Sequence, residues 1–266
     1  MSLDPGMLVA DVCELAREAA SAILKVYVRD FEVESKEDRS PLTEADMAAH
    51  HIIVDGLRRL TPDWPILSEE SATIAWSQRR QWTRYWLVDP LDGTREFIKR
   101  NGEFTVNIAL IEADSPVLGV VQTPVTGEIA WASRGMGAWM AIGEDEARRC
   151  RTRPRADPLV VAGSRSHGNP RLAEMMQRVG PHEMTALGSS LKFLRIAAAD
   201  ADLYVRLGPT SEWDTAAAHC ILEEAGGAVI DLEGNPLRYN CKESLLNPEF
   251  IACGDKTQDW ARILAE

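Results

Sequence analysis

The sequence predicts a two-lobed fold of helices layered on sheets, α+β over residues 1–150 and α/β over residues 151–266. Three observations predict it. An amphipathic stretch opens the chain, short glycine-punctuated β-rich runs fill the middle, and strand-like and helix-like segments alternate in the last third.

The elements follow in chain order. Leu8, Val12, Leu15, Ala19, Ile23 and Val26 recur at helical spacing, so the first element is an amphipathic helix. A second helix is expected from Thr43 to Leu60, with Thr43 as its N-cap, Ile53, Leu57 and Leu60 inward, and Pro62 ending it. Ile66 to Ser71 is short and closes on Glu69 and Glu70. Tyr85 to Asp89 is an apolar run that stops at Pro90, as a buried strand entering a turn would. A short helix is expected near Thr94 to Ile98. Phe104 to Ile111, Val117 to Gln122, Glu128 to Ala132 and Ala138 to Ile142 then read as an antiparallel meander. Glu144 to Asp157, charged and with Pro154 and Pro158 at or beyond its end, is the candidate junction between lobes. Beyond it come a strand from Leu159 to Ala162, helices from Pro170 to Val179 and Ser189 to Ala199, and a strand from Leu203 to Arg206. A helix from Thr215 to Ala225, closed by Gly226 and Gly227, precedes a strand from Val229 to Asp231. There is no internal repeat and no low-complexity segment.

Composition narrows the function classes. With 45% hydrophobic and 26% charged residues, the chain can bury a substantial core. A net charge of −12 argues against a nucleic-acid partner, which requires a basic face. It leaves small phosphorylated substrates open, provided cations or a few basic groups supply local positive charge. The five cysteines are odd in number and lack C-x-x-C spacing, which favours a reduced compartment over disulfides or zinc. Met7 to Val28 is interrupted by Asp11, Glu14, Arg17, Glu18 and Lys25, so it fits neither a membrane span nor a secretion signal. The expected location is the cytoplasm, with a peripheral position at the inner membrane as the alternative.

The segment richest in chemistry is Asp89-Pro90-Leu91-Asp92-Gly93-Thr94. It follows a buried strand, and its two carboxylates, three residues apart on a turn fixed by Pro90, can converge on a hard cation such as Mg²⁺. The amides of Gly93, Thr94 and Arg95 open a helix and would face an anion. Taken alone, the segment also reads as a polar surface turn. Likewise Asp214 in Glu212-Trp213-Asp214 reads as a helix cap, and Glu69-Glu70 as a solvated pair. In Pro41-Leu42-Thr43-Glu44-Ala45-Asp46, Thr43 and Asp46 are spaced as a capping box.

Taken together, S-P-L-T-E-A-D, L-S-E-E-S, D-P-L-D-G-T and E-W-D, in this order over nearly the whole chain, resemble the inositol monophosphatase superfamily. The resemblance implies an α-β-α-β-α layered sandwich and Mg²⁺-dependent, Li⁺-sensitive phosphatase activity with two or three Mg²⁺ per site. It implies that Glu69, Asp89 and the Leu91 carbonyl hold one metal, and that Asp89, Asp92 and Asp214 hold a second, with Asp89 bridging. It further implies that Thr94, supported by Asp46, positions the attacking water, with Glu69 beside it.

The second half resembles the CysQ-type 3′(2′),5′-bisphosphate nucleotidases through Gly188-Ser189-Ser190-Leu191-Lys192-Phe193 and Arg206-Leu207-Gly208-Pro209-Thr210-Ser211-Glu212-Trp213-Asp214. A Gly-Ser-Ser turn with Lys192 and Arg206 nearby would suit a second phosphate. Both cations also read as structural, Lys192 as a solvated helix residue and Arg206 as an ion-pair partner. Gly163-Ser164-Arg165-Ser166-His167 would line a nucleoside pocket or be a plain polar loop.

The expected reaction is removal of the 3′-phosphate of adenosine 3′,5′-bisphosphate, giving AMP. The sulfated nucleotide is a second substrate, and the role lies in sulfur assimilation or nucleotide recycling. The alternatives are an inositol or histidinol phosphatase of the same superfamily, and a non-catalytic metal or nucleotide sensor.

Overall fold

Helices and sheets alternate in five layers in the computed structural model, which describes residues 4–29, 41–163 and 169–265. Ser164 to His167 of the predicted nucleoside loop therefore lie outside the described residues. A 3₁₀ turn, Pro5–Leu8, leads into α1 (Val9–Tyr27), and α2 (Pro41–Leu60) packs beside it. Next come β1 (Ile66–Ser68), a 3₁₀ turn (Glu69–Ser71), α3 (Trp76–Arg79), β2 (Arg84–Asp92) and α4 (Thr94–Ile98). The meander follows as β3 (Thr105–Glu112), β4 (Ser115–Gln122), β5 (Glu128–Ser133), β6 (Gly137–Ile142) and β7 (Arg148–Cys150). Strands β1 to β7 form a seven-stranded sheet in sequence order, with β1 parallel to β2 and every other pair antiparallel.

The second sheet takes β8 (Leu159–Gly163), β9 (His182–Ala186), β10 (Leu203–Arg206), β11 (Ala228–Asp231) and β12 (Phe250–Cys253) in the order β11-β12-β10-β8-β9. It is mixed: β9, β8 and β10 run parallel, and β12 is antiparallel to β10 and β11. Helices α5 (Pro170–Arg178), α6 (Leu191–Ala197), α7 (Glu212–Glu224) and α8 (Trp260–Ala265) complete the chain.

Strand alternation explains the layering, because successive side chains leave a strand on opposite faces. On β2, Trp86 and Val88 join α1 and α2, while Tyr85 and Leu87 join α6 and α7. On β12, Phe250 and Ala252 face that same central helix layer, while Ile251 and Cys253 face α5 and α8. The order is thus α1/α2, first sheet, α6/α7, second sheet, α5/α8. The same parity puts Asp89, Thr105 and Asn107 on the face of the first sheet that looks towards α6 and α7.

Several boundaries differ from the sequence expectation, each for a local reason. Helix α2 begins at Pro41, whose fixed φ suits a first helical position, so Thr43 lies inside the first turn and is not the N-cap. Strand β2 continues past Pro90 to Asp92; the ladder with β3 absorbs the proline as a register shift between Asp89 and Asp92. Helix α6 starts at Leu191 because Ser189 holds a left-handed φ of 49°. Helix α7 starts at Glu212, where Ser211 and Asp214 form a capping box. The charged segment read as a junction supplies β7, and α3, β9, β12 and α8 were not foreseen. Among the described residues no helix is long and apolar enough to cross a membrane.

Helix α7 lies close against the first sheet at Gly119 on β4. A Cβ there would sit 2.2 Å from the Ala217 carbonyl oxygen of α7, a backbone atom that cannot rotate away. Gly119→Ala should therefore destabilise the protein by roughly 1–3 kcal/mol, the usual range for overpacking. Urea unfolding should show a lower midpoint with an unchanged slope. A wild-type midpoint would mean that α7 can shift outward freely.

Candidate active site

Three elements from distant parts of the chain bring carboxylates together. Glu69 is exposed on the 3₁₀ turn after β1, Asp89 is buried near the end of β2, and Asp214 is partly buried in the first turn of α7. One carboxylate oxygen from each lies within 4.8 Å of the others. The side chains are held individually. Leu91 N–H donates to Asp89 Oδ1 (3.0 Å), and Ser211 N–H donates to Asp214 Oδ2 (2.9 Å). Burial raises the Glu69 carboxyl, and its neighbours Asp89 and Trp213 pull it back down. Asp92, at the end of the β2 bulge, accepts from Ser189 Oγ and, at 3.5 Å, from Asn107 Nδ2.

Burial of like charges shows in the acidities. Burial first, and then Asp92, Glu69 and Asp214, push Asp89 well above the usual carboxylate range. Burial and then the charge of Asp92 raise Asp214 to about 8. Burial also raises Asp92, though the Ser189 hydrogen bond and the Lys192 charge pull it back. A set of oxygen donors that repel one another fits a hard divalent cation such as Mg²⁺.

The carboxylates line a cleft of about 460 Å³. The sequence-predicted residues Glu69, Asp89, Leu91, Asp92, Gly93, Thr94, Arg95, Gly188, Ser189, Lys192, Arg206 and Asp214 all line it. Gly93 turns the chain there with a φ of 102°, a backbone conformation that suits glycine. Gly188 allows an equally close approach, since a Cβ would sit 2.7 Å from the Glu103 carbonyl oxygen.

Asp46 is not among the lining residues, and the expected Thr94–Asp46 hydrogen bond is absent from the described contacts. Asp46 lies close to Glu70 and Glu69, and its Oδ1 is buried without a partner among the described residues. Burial, then Glu70 and Glu69, raise it to about 8.

The two cations are tied into the protein. Lys192 is buried; its Nζ donates to the carbonyls of Ser189 (2.6 Å) and Leu187 (3.2 Å) and lies 5.2 Å above the Tyr204 ring. Burial lowers its pKa to about 8, against the pull of Asp92. It is not the solvated helix residue that one reading of the sequence allowed. Arg206 Nε donates to Thr210 Oγ1 (2.7 Å) and the Gly208 carbonyl (3.2 Å), and Nη2 donates to the Pro209 carbonyl (2.7 Å). It braces its own loop; among the described residues it forms no salt bridge.

The sequence reading missed Thr105 and Asn107, which form a buried polar group with Ser190 of the predicted Gly-Ser-Ser turn. The signal was present: two polar residues interrupt an otherwise apolar strand, Thr105-Val106-Asn107-Ile108-Ala109. The reading also missed Phe193, Tyr204 and Phe250, whose packed rings form an apolar wall of the cleft.

Five alternating layers, with acids from β2 and α7 meeting at one cleft, define the class. The chain belongs to the inositol monophosphatase family, whose model matches residues 7–264. It is 51% identical over 248 residues to 3′(2′),5′-bisphosphate nucleotidase CysQ of Escherichia coli K12, covering 91% of this chain and 98% of that protein. The protein of the same name from Salmonella typhimurium LT2 is 52% identical over 248 residues, covering 91% of this chain and 98% of that one. Among solved structures, CysQ from Bacteroides thetaiotaomicron superposes with a TM-score of 0.85 at 40% identity, over 93% of this chain and 97% of that chain. An inositol monophosphatase from Zymomonas mobilis shares the fold, with a TM-score of 0.75 at 24% identity over 98% of each chain.

The raised acidities predict a pH dependence with a definite sign. A carboxyl whose folded pKa is raised contributes stability that is present below its unfolded pKa, about 4, and lost as pH rises through its folded pKa. For Asp214 that folded value is about 8. Asp89→Asn removes one charge from the cluster. It should raise the melting temperature of metal-free protein at pH 8.5, by an increment that shrinks at pH 5. Saturating Mg²⁺ should stabilise the wild type more than Asp89→Asn. Calorimetry in the presence of a chelator, and then with Mg²⁺, checks all three; a pH-independent increment would show that the acids do not repel one another in the fold.

Proposed function

We propose that the chain is a Mg²⁺-dependent phosphomonoesterase that converts adenosine 3′,5′-bisphosphate to AMP and phosphate. The observation that supports this most is the make-up of one cleft, which is lined both by acids that can hold cations and by the two basic groups Lys192 and Arg206. The names of the relatives at about half identity support the nucleotide as substrate.

Glu69, Asp89, Asp92, Asp214 and the Leu91 carbonyl would hold the cations, two or three in number. Mg²⁺ there would supply positive charge against the reacting phosphate and acidify a water. The chain's own groups do the rest. Phosphorus exchanges its bond to the ribose 3′ oxygen for one to the water oxygen. The water proton passes to a Glu69 carboxylate oxygen, whose acidity the site lowers, and the departing oxygen takes up a proton from solvent water, to which Glu69 returns its own. Thr94, exposed at the start of α4, orients that water through its hydroxyl. Asp46 acts at one remove, through its place beside Glu70 and Glu69. The 5′-phosphate lies towards Gly188, Ser189 and the two cations; Lys192 has three donors and two are given to carbonyls, which leaves one for a phosphate oxygen. The Phe193, Tyr204 and Phe250 wall offers apolar surface to the nucleoside. The sulfated nucleotide, which carries the same 3′-phosphate, is a second substrate in this reading, and the role in sulfur assimilation or nucleotide recycling follows from it.

Phosphate release with Mg²⁺ should be faster from adenosine 3′,5′-bisphosphate than from inositol 1-phosphate, and Asp89→Asn should remove nearly all of it. A charge-assisted hydrogen bond contributes about 1.5–3 kcal/mol, so Lys192→Ala should lower kcat/KM for the bisphosphate roughly ten- to a hundredfold. The loss on 3′-AMP should be smaller, because that substrate lacks the 5′ group. Equal losses on both substrates would confine Lys192 to bracing the Leu187–Ser189 turn, and faster turnover of inositol phosphate would overturn the nucleotide reading.

A further inference from the structure

We infer that Thr105 and Asn107 are positioning residues, which with Ser190 hold Ser189 against Asp92 and so fix the direction of the Asp92 carboxylate. The inference rests on the reading of Asp92 as a cation ligand. It concerns residues of β3 that do not themselves line the cleft.

The geometry is a closed set of short contacts. Ser189 Oγ donates to Asp92 Oδ2, and Thr105 Oγ1 lies 2.5 Å from Ser189 Oγ and 2.9 Å from Ser190 Oγ. Ser190 Oγ donates to Asn107 Oδ1 at 2.8 Å, Thr105 Oγ1 is 3.1 Å from that same oxygen, and Asn107 Nδ2 reaches back to Asp92 Oδ2 at 3.5 Å. Asp92 thus receives one donor directly from Asn107 and one through the relay of hydroxyls.

Proton accounting gives the relay a direction. With its single proton committed to Asp92, Ser189 can only accept from Thr105. The Ser190 proton goes to the Asn107 carbonyl oxygen, which turns the Asn107 amide nitrogen towards Asp92. The bonds Thr105 to Ser189 and Ser189 to Asp92 therefore run towards the negative charge, while the Thr105–Ser190 and Thr105–Asn107 contacts carry no proton in this arrangement; hydrogen bonds in such a chain polarise one another in a low-dielectric interior.

The packing alone does not call for these residue types. Thr105 and Asn107 share a strand face with Ala109 and Ile111, which are buried in the central apolar layer. Thr105, Asn107 and Ser190 are 0%, 1% and 1% exposed. Polar groups buried so fully destabilise a fold unless they are satisfied, and here one another and Asp92 satisfy them. The network also crosses between halves of the chain, from β3 of the first sheet to the turn before α6. Partners of this kind typically change metal affinity ten- to a hundredfold when removed.

The test is calorimetric titration of the metal-free, full-length protein with MgCl₂. Thr105→Val keeps the shape and removes the hydroxyl, so the fold should survive and Mg²⁺ affinity should fall roughly tenfold or more. Thr105→Ser restores the hydroxyl and should bring affinity back to within a few-fold of wild type. Ser190→Ala, a smaller change, should weaken Mg²⁺ in the same direction and serves if Thr105→Val does not fold. Wild-type affinity and stoichiometry in Thr105→Val, or in Ser190→Ala where that variant stands in, would overturn the inference. So would a loss in Thr105→Val that Thr105→Ser fails to rescue, since that would mark a packing role. A wild type that takes up no Mg²⁺ would overturn the metal reading itself, and the inference with it.

Discussion

The structure depends on gathering like charges in a partly buried place. Water stabilises an isolated carboxylate far better than a protein interior does, and neighbouring carboxylates repel most strongly where the dielectric is low. Glu69, Asp89 and Asp214 are nevertheless brought within 4.8 Å of one another, with Asp92 close by. A cluster of this kind persists only if the surrounding fold is stable enough to hold it. The three apolar clusters between the five layers supply that stability.

The layering also decides which side chains can meet. Asp89 reaches the cleft because β2 alternates: its odd-numbered residues, Tyr85, Leu87 and then Asp89, point to the central helix layer. Asp214 reaches it because α7 belongs to that layer and begins at the cleft. The capping box that starts α7 fixes the helix end and aims the carboxylate together, so one local motif has both a structural and a chemical consequence. The close approach at Gly119 then sets how near α7 lies to the sheet that carries Asp89.

Positive charge near the acids is held with equal care. Lys192 is buried and gives two of its donors to the carbonyls of the Leu187–Ser189 turn, while Arg206 stitches the loop from Gly208 to Thr210. Both cations are thereby pre-positioned, and little side-chain entropy remains to be lost when an anion arrives. The burial that lowers Lys192 to about 8 is opposed by the nearby Asp92, so acid and base adjust one another across the turn.

The sequence by itself determined the element types over most of the chain, because a period of about 3.6 residues is written in the apolar positions of Leu8 to Val26, and short apolar runs bounded by turn residues mark strands such as Thr105 to Gln122 and Leu203 to Arg206. It also determined the family, through motifs each contained in a few consecutive residues, and it named the acids that the fold brings to the cleft. It did not reveal β9, β12 or α8. His182–Ala186 is exposed and lacks a clear alternation, while Phe250–Cys253 and Trp260–Ala265 are short and owe their shape to neighbours far away in sequence. Only the tertiary structure decided how the polar groups pair. Asp46 lies beside Glu70 and Glu69 rather than bonded to Thr94, Lys192 serves backbone carbonyls, and Thr105 and Asn107 connect to Asp92 through a turn more than eighty residues downstream. Hydrogen-bond partners depend on distances of a few tenths of an ångström between segments that folding alone brings together, and residue spacing carries no record of those distances.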